Sequence, residues 1–393
     1  MPKLVQINVV SNVLSTGKIC EDIGKVAISN GWESFVAYGR NAKPSTSKEL
    51  KIGSMSDVYR HYIAHRLFDR EGLCSEVPTR KLVEQLKQIS PDIIVLHNIH
   101  DHYLNYPILF RYLASVNTPV VWVQHDCWAF TGGCMYFDML ECNLWKNSCG
   151  KCPENRALFL NKSSYQFALK KELISKIRNL TFVPVSNWLA GLLSQSYLGE
   201  RPIKVIHNGT DISVFKPHEK ALHGPFRILG VAADWIQRKG LFEFYKLRKL
   251  LDQSYSITLV GLTRKQIKDL PDGIVGIERT TSLIELVKLY SDSDVFVNPT
   301  FSDNFPTTNI EALACGTPVI TYNTGGSPEA IDVKTGVVVE QGDVNALAEA
   351  IVKMKESPLL PEDCRNRAIL HFDKEKCFLK YIELFNHLLT DNS

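Results

Sequence analysis

Asp303 and Glu311 stand eight residues apart, across a turn and the first turns of a predicted helix. Pro306 suits the start of that helix, where its missing N–H costs nothing. Ile310, Leu313 and Ala314 have helical spacing, Gly316 supplies a left-handed stop, and Val319 and Ile320 begin a buried strand. A helix start offers free N–H groups and a positive dipole end to a phosphate. A carboxylate one or two turns further on accepts hydrogen bonds from a ribose diol. The stretch therefore reads as a phosphate- and ribose-binding turn, although an ordinary strand–turn–helix with two surface acids fits the same residues equally well. Arg238-Lys239-Gly240 lies between a predicted strand and a predicted helix. Two adjacent cations there could clamp a diphosphate, or form a solvated basic pair. His97, His100 and His125 follow the apolar runs 92–96 and 119–123. In open parallel sheets ligands bind at such C-terminal strand ends, but a histidine there can equally cap the sheet. Cys134, Cys142, Cys149 and Cys152 form C-x7-C-x6-C-x2-C, with Cys127 a fifth candidate. Four thiolates in one irregular segment could hold a tetrahedral zinc, remain free thiols, or form an iron–sulfur cluster or disulfide. Cys20, Cys74, Cys315, Cys364 and Cys377 read as ordinary thiols.

These residues need elements to position them. Residues 4–10 form an apolar strand, followed by a loop, Gly17 near the start of a helix, and a second strand over 34–38. That succession opens a Rossmann-like unit. A helix over 79–89 and strands over 92–96, 119–123 and 182–185 continue it, with 204–206 as its last strand. Residues 210–225 carry turn residues and little pattern, which places the domain boundary there. The second half repeats the alternation, with strands over 227–231, 256–260 and 295–298 and a helix over 283–290. Alternating strands and helices in both halves predict two doubly wound α/β domains.

At 393 residues the chain is long enough for two domains. Residues 1–205 hold 24 Lys/Arg against 17 Asp/Glu, and the remainder 21 against 25, so a basic first half is masked by a net charge of +3. A mildly basic first half suits an anionic acceptor or a membrane surface, and scattered solvated charge suits it as well. No basic arm points to nucleic acid. No apolar run reaches the length of a membrane-spanning helix. The N-terminal residues lack the charged and apolar regions of a signal peptide, so the cysteines are expected in a reducing cytoplasm.

Stretch 303–331 is accompanied, in order and at consistent spacing, by PDIIVLHNIH (91–100), VVWVQHDCWAFTGGC (120–134), PVSNWLAGLL (184–193), VIHNGTD (205–211) and Arg-Lys-Gly. Together these resemble the retaining glycosyltransferases of family 4, which have the GT-B fold. The family's paired glutamates match Asp303 and Glu311, followed by the small-residue run 312–320 and the turn Gly325-Gly326-Ser327-Pro328-Glu329. Aspartate in place of the first glutamate shortens the reach by one methylene. Many relatives carry an arginine at the end of the preceding strand. Here Val231-Ala232-Ala233-Asp234 lacks it, and Arg238 is expected to supply the charge.

The resemblance implies two Rossmann-like domains facing a cleft. An acceptor domain would span 1–209, with a Cys-rich segment at 127–153. A nucleotide-sugar domain would span 210–375, and a helix over 376–393 would cross back to the first domain. It implies transfer of a sugar, with retained anomeric configuration, from a nucleoside-diphosphate sugar to a glycan or lipid-linked acceptor. The setting would be surface-polysaccharide biosynthesis of the colanic-acid or exopolysaccharide type, with no catalytic metal. Arg238 and Lys239 would hold the diphosphate and Glu311 the ribose, while Asp303 and the backbone of Asn304, Phe305, Pro306 and Thr307 approach the sugar. Gly17 would lie near the donor diphosphate and acceptor, and His125 would touch the transferred sugar. His97 and His100 would contact acceptor or donor. The surface-polysaccharide subgroup has a similar HDCW-A-F-T-G-x-C segment, which supports a common structural element; the zinc expectation rests on the spacing of the four cysteines. A nucleotide-sugar epimerase of the same fold, or a non-catalytic nucleotide-sugar-binding subunit, would keep the same pocket. The expected location is cytoplasmic, with peripheral contact at the inner face of the membrane.

Overall fold

Ile93–Leu96 and Val120–Gln124 are apolar at almost every position, and a strand without a polar face must be covered on both sides. The computed structural model, which describes residues 1–150, 152–155, 157–219 and 224–391, meets that demand in two units. One comprises Met1–Ile206 with Phe378–Ser393, the other His207–Cys377.

The first unit contains strands β1 (Lys3–Asn8), β2 (Glu33–Tyr38), β3 (Lys48–Lys51), β4 (Ile93–Leu96), β5 (Val120–Gln124) and β6 (Leu180–Pro184). They form one parallel sheet in the order β3-β2-β1-β4-β5-β6. Its helices are α1 (Leu14–Ser29), α2 (Met55–Phe68), α3 (Glu76–Ile89), α4 (Tyr106–Ser115), α5 (Ser163–Ser175) and α6 (Asn187–Ser194). The core is aromatic on one side, where Trp122 contacts Phe110 and Phe182. Gly17 sits inside the first turn of α1, not in a loop. A Cβ there would come 2.9 Å from Val10 Cγ2, so glycine permits the close approach of helix and loop. Residues 204–206, expected as a strand, run beside β6 with Lys204 N–H bonded to Phe182 O, but the pairing amounts to the isolated bridge Phe182↔Ile203. Pro202 has no N–H to lengthen it. Two elements escape the sequence pattern. β3 reads Lys-Glu-Leu-Lys with no buried face, and α2 buries only Val58 and His61.

The second unit contains β7 (Phe226–Val231), β8 (Tyr255–Val260), β9 (Ile274–Ile277), β10 (Val295–Asn298), β11 (Val319–Tyr322) and β12 (Gly336–Val339), in the order β12-β11-β10-β7-β8-β9. Helices α7 (Leu241–Leu250), α8 (Arg264–Lys268), α9 (Leu283–Asp292), α10 (Thr307–Ala314), α11 (Val344–Glu356) and α12 (Pro361–His371) flank it. A last helix, α13 (Lys374–Thr390), runs from this unit into the first, where Phe385 packs edge-on against Trp32 at 5.7 Å. Among the described residues no helix is long and apolar enough to cross a membrane.

Strand order reverses between β1 and β4 in one sheet and between β7 and β10 in the other. At such a switch point neighbouring loops leave in opposite directions and open a crevice at the strand ends.

Candidate functional site

In the second unit, both loops at the switch point carry the residues singled out from the sequence. After β7 the chain reaches a 3-10 turn, Gln237–Lys239, closed by Gly240 at φ 75°. A Cβ on Gly240 would lie 2.1 Å from Pro299 O, so only glycine lets this turn pack against the loop after β10. The two loops are stitched together. Phe301 N–H donates to Arg238 O at 2.7 Å, Arg238 Nη1 donates to Ser302 O at 2.9 Å, and Lys239 forms an ion pair with Asp303. Gly325, at φ 54°, would place a Cβ 1.8 Å from Asp303 O, and Gly326 N–H donates to that oxygen at 3.1 Å. The Gly-Gly pair thus clamps the backbone of Asp303 where no side chain fits.

Asn304 and Phe305 lead from this clamp to Pro306, the N-cap of α10, which makes no side-chain cap. No cap side chain therefore takes up the N–H groups at the helix start, the kind of terminus that attracts an anion. Thr307 begins the helix, and Glu311 follows one turn later, its Oε2 accepting from the buried Tyr290 hydroxyl at 3.0 Å. His207 packs at a tilt against Phe305, ring centroids 4.9 Å apart, and bonds Glu329 Oε2 at 2.8 Å.

In the first unit, the central strand β1 carries two fully buried polar side chains, Gln6 and Asn8. Gln6 holds a strand-end histidine, and Asn8 holds the backbone that follows it. His97 Nε2 meets Gln6 Oε1 at 3.0 Å and His97 Nδ1 meets His125 Nε2 at 3.1 Å, while Asn98 N–H donates to Asn8 Oδ1 at 3.3 Å. Burial holds His97 well below the usual histidine range, helped by His125. Burial also brings His125 down to about 4, against the pull of Asp126. Both are neutral near pH 7. His100 behaves oppositely. Burial disfavours its charge, but Asp126, bonded to His100 Nε2 at 2.8 Å, outweighs burial and raises it to about 9. His97, His100, Gln124, His125 and Asp126 line a small cavity with room for about one water molecule. Among the described residues, His100 Nδ1 and Gln124 Nε2, both buried, have no hydrogen-bond partner.

Sequence reasoning missed Asp126, which neighbours His125, and Lys170. Lys170 is buried, lies 3.7 Å from the Trp128 ring centroid, and is pushed down to about 7 by burial. Proximity to His125 was the available signal for Asp126; Lys170 has none, being an unremarked lysine in a helix. Glu71, His100 and Asp101 bring three possible metal-ligand atoms within 4.8 Å of one another. Each has a partner of another kind: Asp101 pairs with Arg40 at 2.9 Å, Glu71 accepts from Trp128 Nε1 at 3.3 Å, and His100 gives Nε2 to Asp126 while its Nδ1 has none among the described residues. Of the cysteines, Cys134 and Cys152 place their sulfurs 3.3 Å apart, and Cys149 Sγ accepts from Gly132 N–H at 3.1 Å.

Cation-bearing loops and an open helix start at one switch point suit a nucleotide diphosphate, and comparison with known proteins points the same way. Residues 18–214 match the family described as Glycosyltransferase Family 4, and residues 218–371 match Glycosyl transferases group 1. The chain is a family 4, group 1 glycosyltransferase. Among curated relatives, a candidate colanic acid biosynthesis glycosyl transferase, WcaC of Escherichia coli (strain K12), is 24% identical over 369 residues, covering 88% of this chain and 89% of the relative. Among solved structures, sucrose-phosphate synthase from Thermosynechococcus elongatus superposes with a TM-score of 0.75 at 16% identity, covering 100% of both chains. Anabaena HepE in complex with UDP gives 0.69 at 14% identity, covering 98% of this chain and 100% of that one. These likenesses establish the architecture of this glycosyltransferase as GT-B, with two α/β domains.

Proposed function

We propose that this glycosyltransferase moves a sugar from a nucleoside-diphosphate sugar to a glycan or lipid-linked acceptor in surface-polysaccharide biosynthesis, with retention of anomeric configuration. The observation that carries this reading is the convergence of Arg238, Lys239 and the N-terminus of α10 at the β7/β10 switch point. As the glycosidic bond breaks, the departing diphosphate gains charge. Two fixed cations and a helix dipole placed there stabilise it in the transition state. They do the work of a divalent ion, so turnover is expected without added magnesium. Lys239 exchanges Asp303 for the diphosphate when donor binds, and Asp303 with the backbone of residues 304–307 faces the sugar. Glu311 takes the ribose hydroxyls. In the first unit, neutral His125 is suited to hydrogen-bond a sugar hydroxyl, and Gly17, in the first turn of α1, lets that helix start close to the end of β1 for the donor diphosphate and acceptor. The acceptor is deprotonated with help from the leaving phosphate. The polysaccharide role draws on the similarity to WcaC.

A lipid-linked acceptor requires a membrane surface. The first unit presents a suitable patch. Phe68 contacts Phe159 at 5.8 Å, Leu158 N–H donates to Arg66 O, and Leu158, Phe159, Leu160, Tyr62 and Ile63 are exposed nearby in the chain or on α2. Contiguous exposed apolar groups of this kind mark interaction surfaces.

Release of nucleoside diphosphate, measured with and without a lipid extract as acceptor, tests the reading. UDP-glucose is the first donor to try, since HepE is solved in complex with it. Acceptor-dependent release with an axial product linkage from an axial donor supports a retaining transfer. Release that ignores acceptor would indicate a nucleotide-sugar epimerase, and binding without release a non-catalytic subunit.

A further inference from the structure

We propose that Cys134, Cys142, Cys149 and Cys152 bind one structural zinc ion that holds the loop following β5. The segment they occupy has little structure of its own. It contains three short 3-10 turns, Trp128–Phe130, Asp138–Leu140 and Leu144–Lys146, around a small nucleus of Phe130, Phe137 and Trp145. A cross-link is the economical way to order such a stretch.

The geometry favours a metal over a disulfide. Two thiolates on a tetrahedral zinc, each at about 2.3 Å, lie about 3.8 Å from one another, whereas disulfide sulfurs lie at about 2.05 Å. Cys134 and Cys152 stand at 3.3 Å, nearer the first distance, and all ten cysteines are unbridged. Backbone N–H groups already point at the sulfurs, as they do around zinc thiolates. Gly132 N–H donates to Cys149 Sγ at 3.1 Å, and the nearby Glu154 and Asn155 amides favour the Cys152 thiolate. Cys149 is within electrostatic reach of both Cys142 and Cys152, and Cys134 of Cys149. Among the described residues no third thiol joins the Cys134–Cys152 pair within 4.8 Å, so a four-thiolate site requires the Cys149 and Cys142 side chains to turn inward when the ion binds. The consequence reaches the candidate site. Thr131 Oγ1 donates to Cys134 O at 2.7 Å and Cys127 N–H to Met135 O at 3.0 Å, fastening the zinc loop to the end of β5, where His125 and Asp126 stand.

The full chain, expressed in zinc-supplemented medium and purified without chelator or metal-affinity resin, is expected to carry one zinc per chain by elemental analysis. Titration with a mercurial should release that zinc as four thiols react. Cys142→Ser should lower zinc content several-fold, while Cys74→Ser, outside the segment, keeps it. Replacement by cobalt should give the thiolate-to-cobalt charge-transfer absorption of a four-sulfur site. If Cys142→Ser fails to fold, wild-type metal content and thiol protection still decide. Wild-type protein with no zinc above background, iron with visible cluster absorption, or two cysteines lost from the thiol count without reductant would each overturn the assignment.

Discussion

The two sheets of this protein place polar groups at equivalent points, the ends of strands flanking a reversal of order, but with different electrostatics. In the second unit the groups are Arg238, Lys239 and the start of α10, two cationic side chains and a helix dipole. In the first they are Gln6, Asn8, His97 and His125, amides and neutral imidazoles that give direction more than charge, beside the His100–Asp126 pair, whose opposite charges offset one another. Fixed cations suit a ligand that is always anionic, such as a diphosphate. Directional neutral donors and acceptors suit hydroxyl-bearing groups. The contrast fits one domain built for leaving-group charge and one built for orientation.

Lys239→Ala strikes hardest at that contrast. Single-turnover rates at saturating donor should fall by about 100-fold or more, the scale for deleting one group that stabilises developing charge. Donor binding should weaken as well, since the ground-state diphosphate is already charged. A normal rate would remove Lys239 from the leaving-group site.

Glu311→Ala should weaken donor binding by about 1–3 kcal/mol, the scale for losing hydrogen bonds to a charged group. Because Glu311 also accepts from Tyr290, Tyr290→Phe serves as the control for packing. Calorimetry should show donor affinity lost in the first variant and largely kept in the second. Equal losses in both would make Glu311 a structural partner of Tyr290.

The titrating character of the first unit predicts a pH response. His61, brought down to about 3, and His102, brought down to about 4, join His97 and His125 as groups kept neutral chiefly by burial. Below pH 6.5 the unfolded chain takes up protons that the folded one refuses. Stability therefore falls with falling pH, by about 1.4 kcal/mol per unit for each such group. His100 has the opposite sign: its contribution is complete below pH 6.5 and lost as pH rises through about 9. Hydrogen exchange followed peptide by peptide, corrected for intrinsic rates, should show the first unit's strand ends losing protection between pH 7 and 5 before the β7 and β10 loops do. Simultaneous loss in both would erase the contrast.

The smallest effect concerns the apolar patch. Phe159→Ser should weaken sedimentation with anionic liposomes by about 1 kcal/mol, the value of burying part of an aromatic side chain. Unchanged binding would place any membrane contact elsewhere.

Much of this was legible in the chain itself. Runs such as Ile93–Leu96 declare a strand covered on both faces because no polar position remains to face water. Gly240, Gly316 and Gly325 announce turns because each sits at positive φ. The polar edge strand β3 stayed silent, since it is held by backbone bonds to β2 and buries no face. So did α2, whose buried positions are too few to make a stripe. The motifs named loops 237–240 and 303–311, but not why they touch. That follows from strand order, which sets β7 beside β10 although 63 residues separate Val231 from Val295. The same is true of His100 with Asp126, and of Tyr290 with Glu311. Local sequence determines which segments become strands, helices and turns, because those depend on side-chain period and backbone freedom. Which polar groups meet, and how burial then sets their charge, only the tertiary structure decided, because desolvation and partner distance are properties of the packed sheet and not of neighbours in the chain.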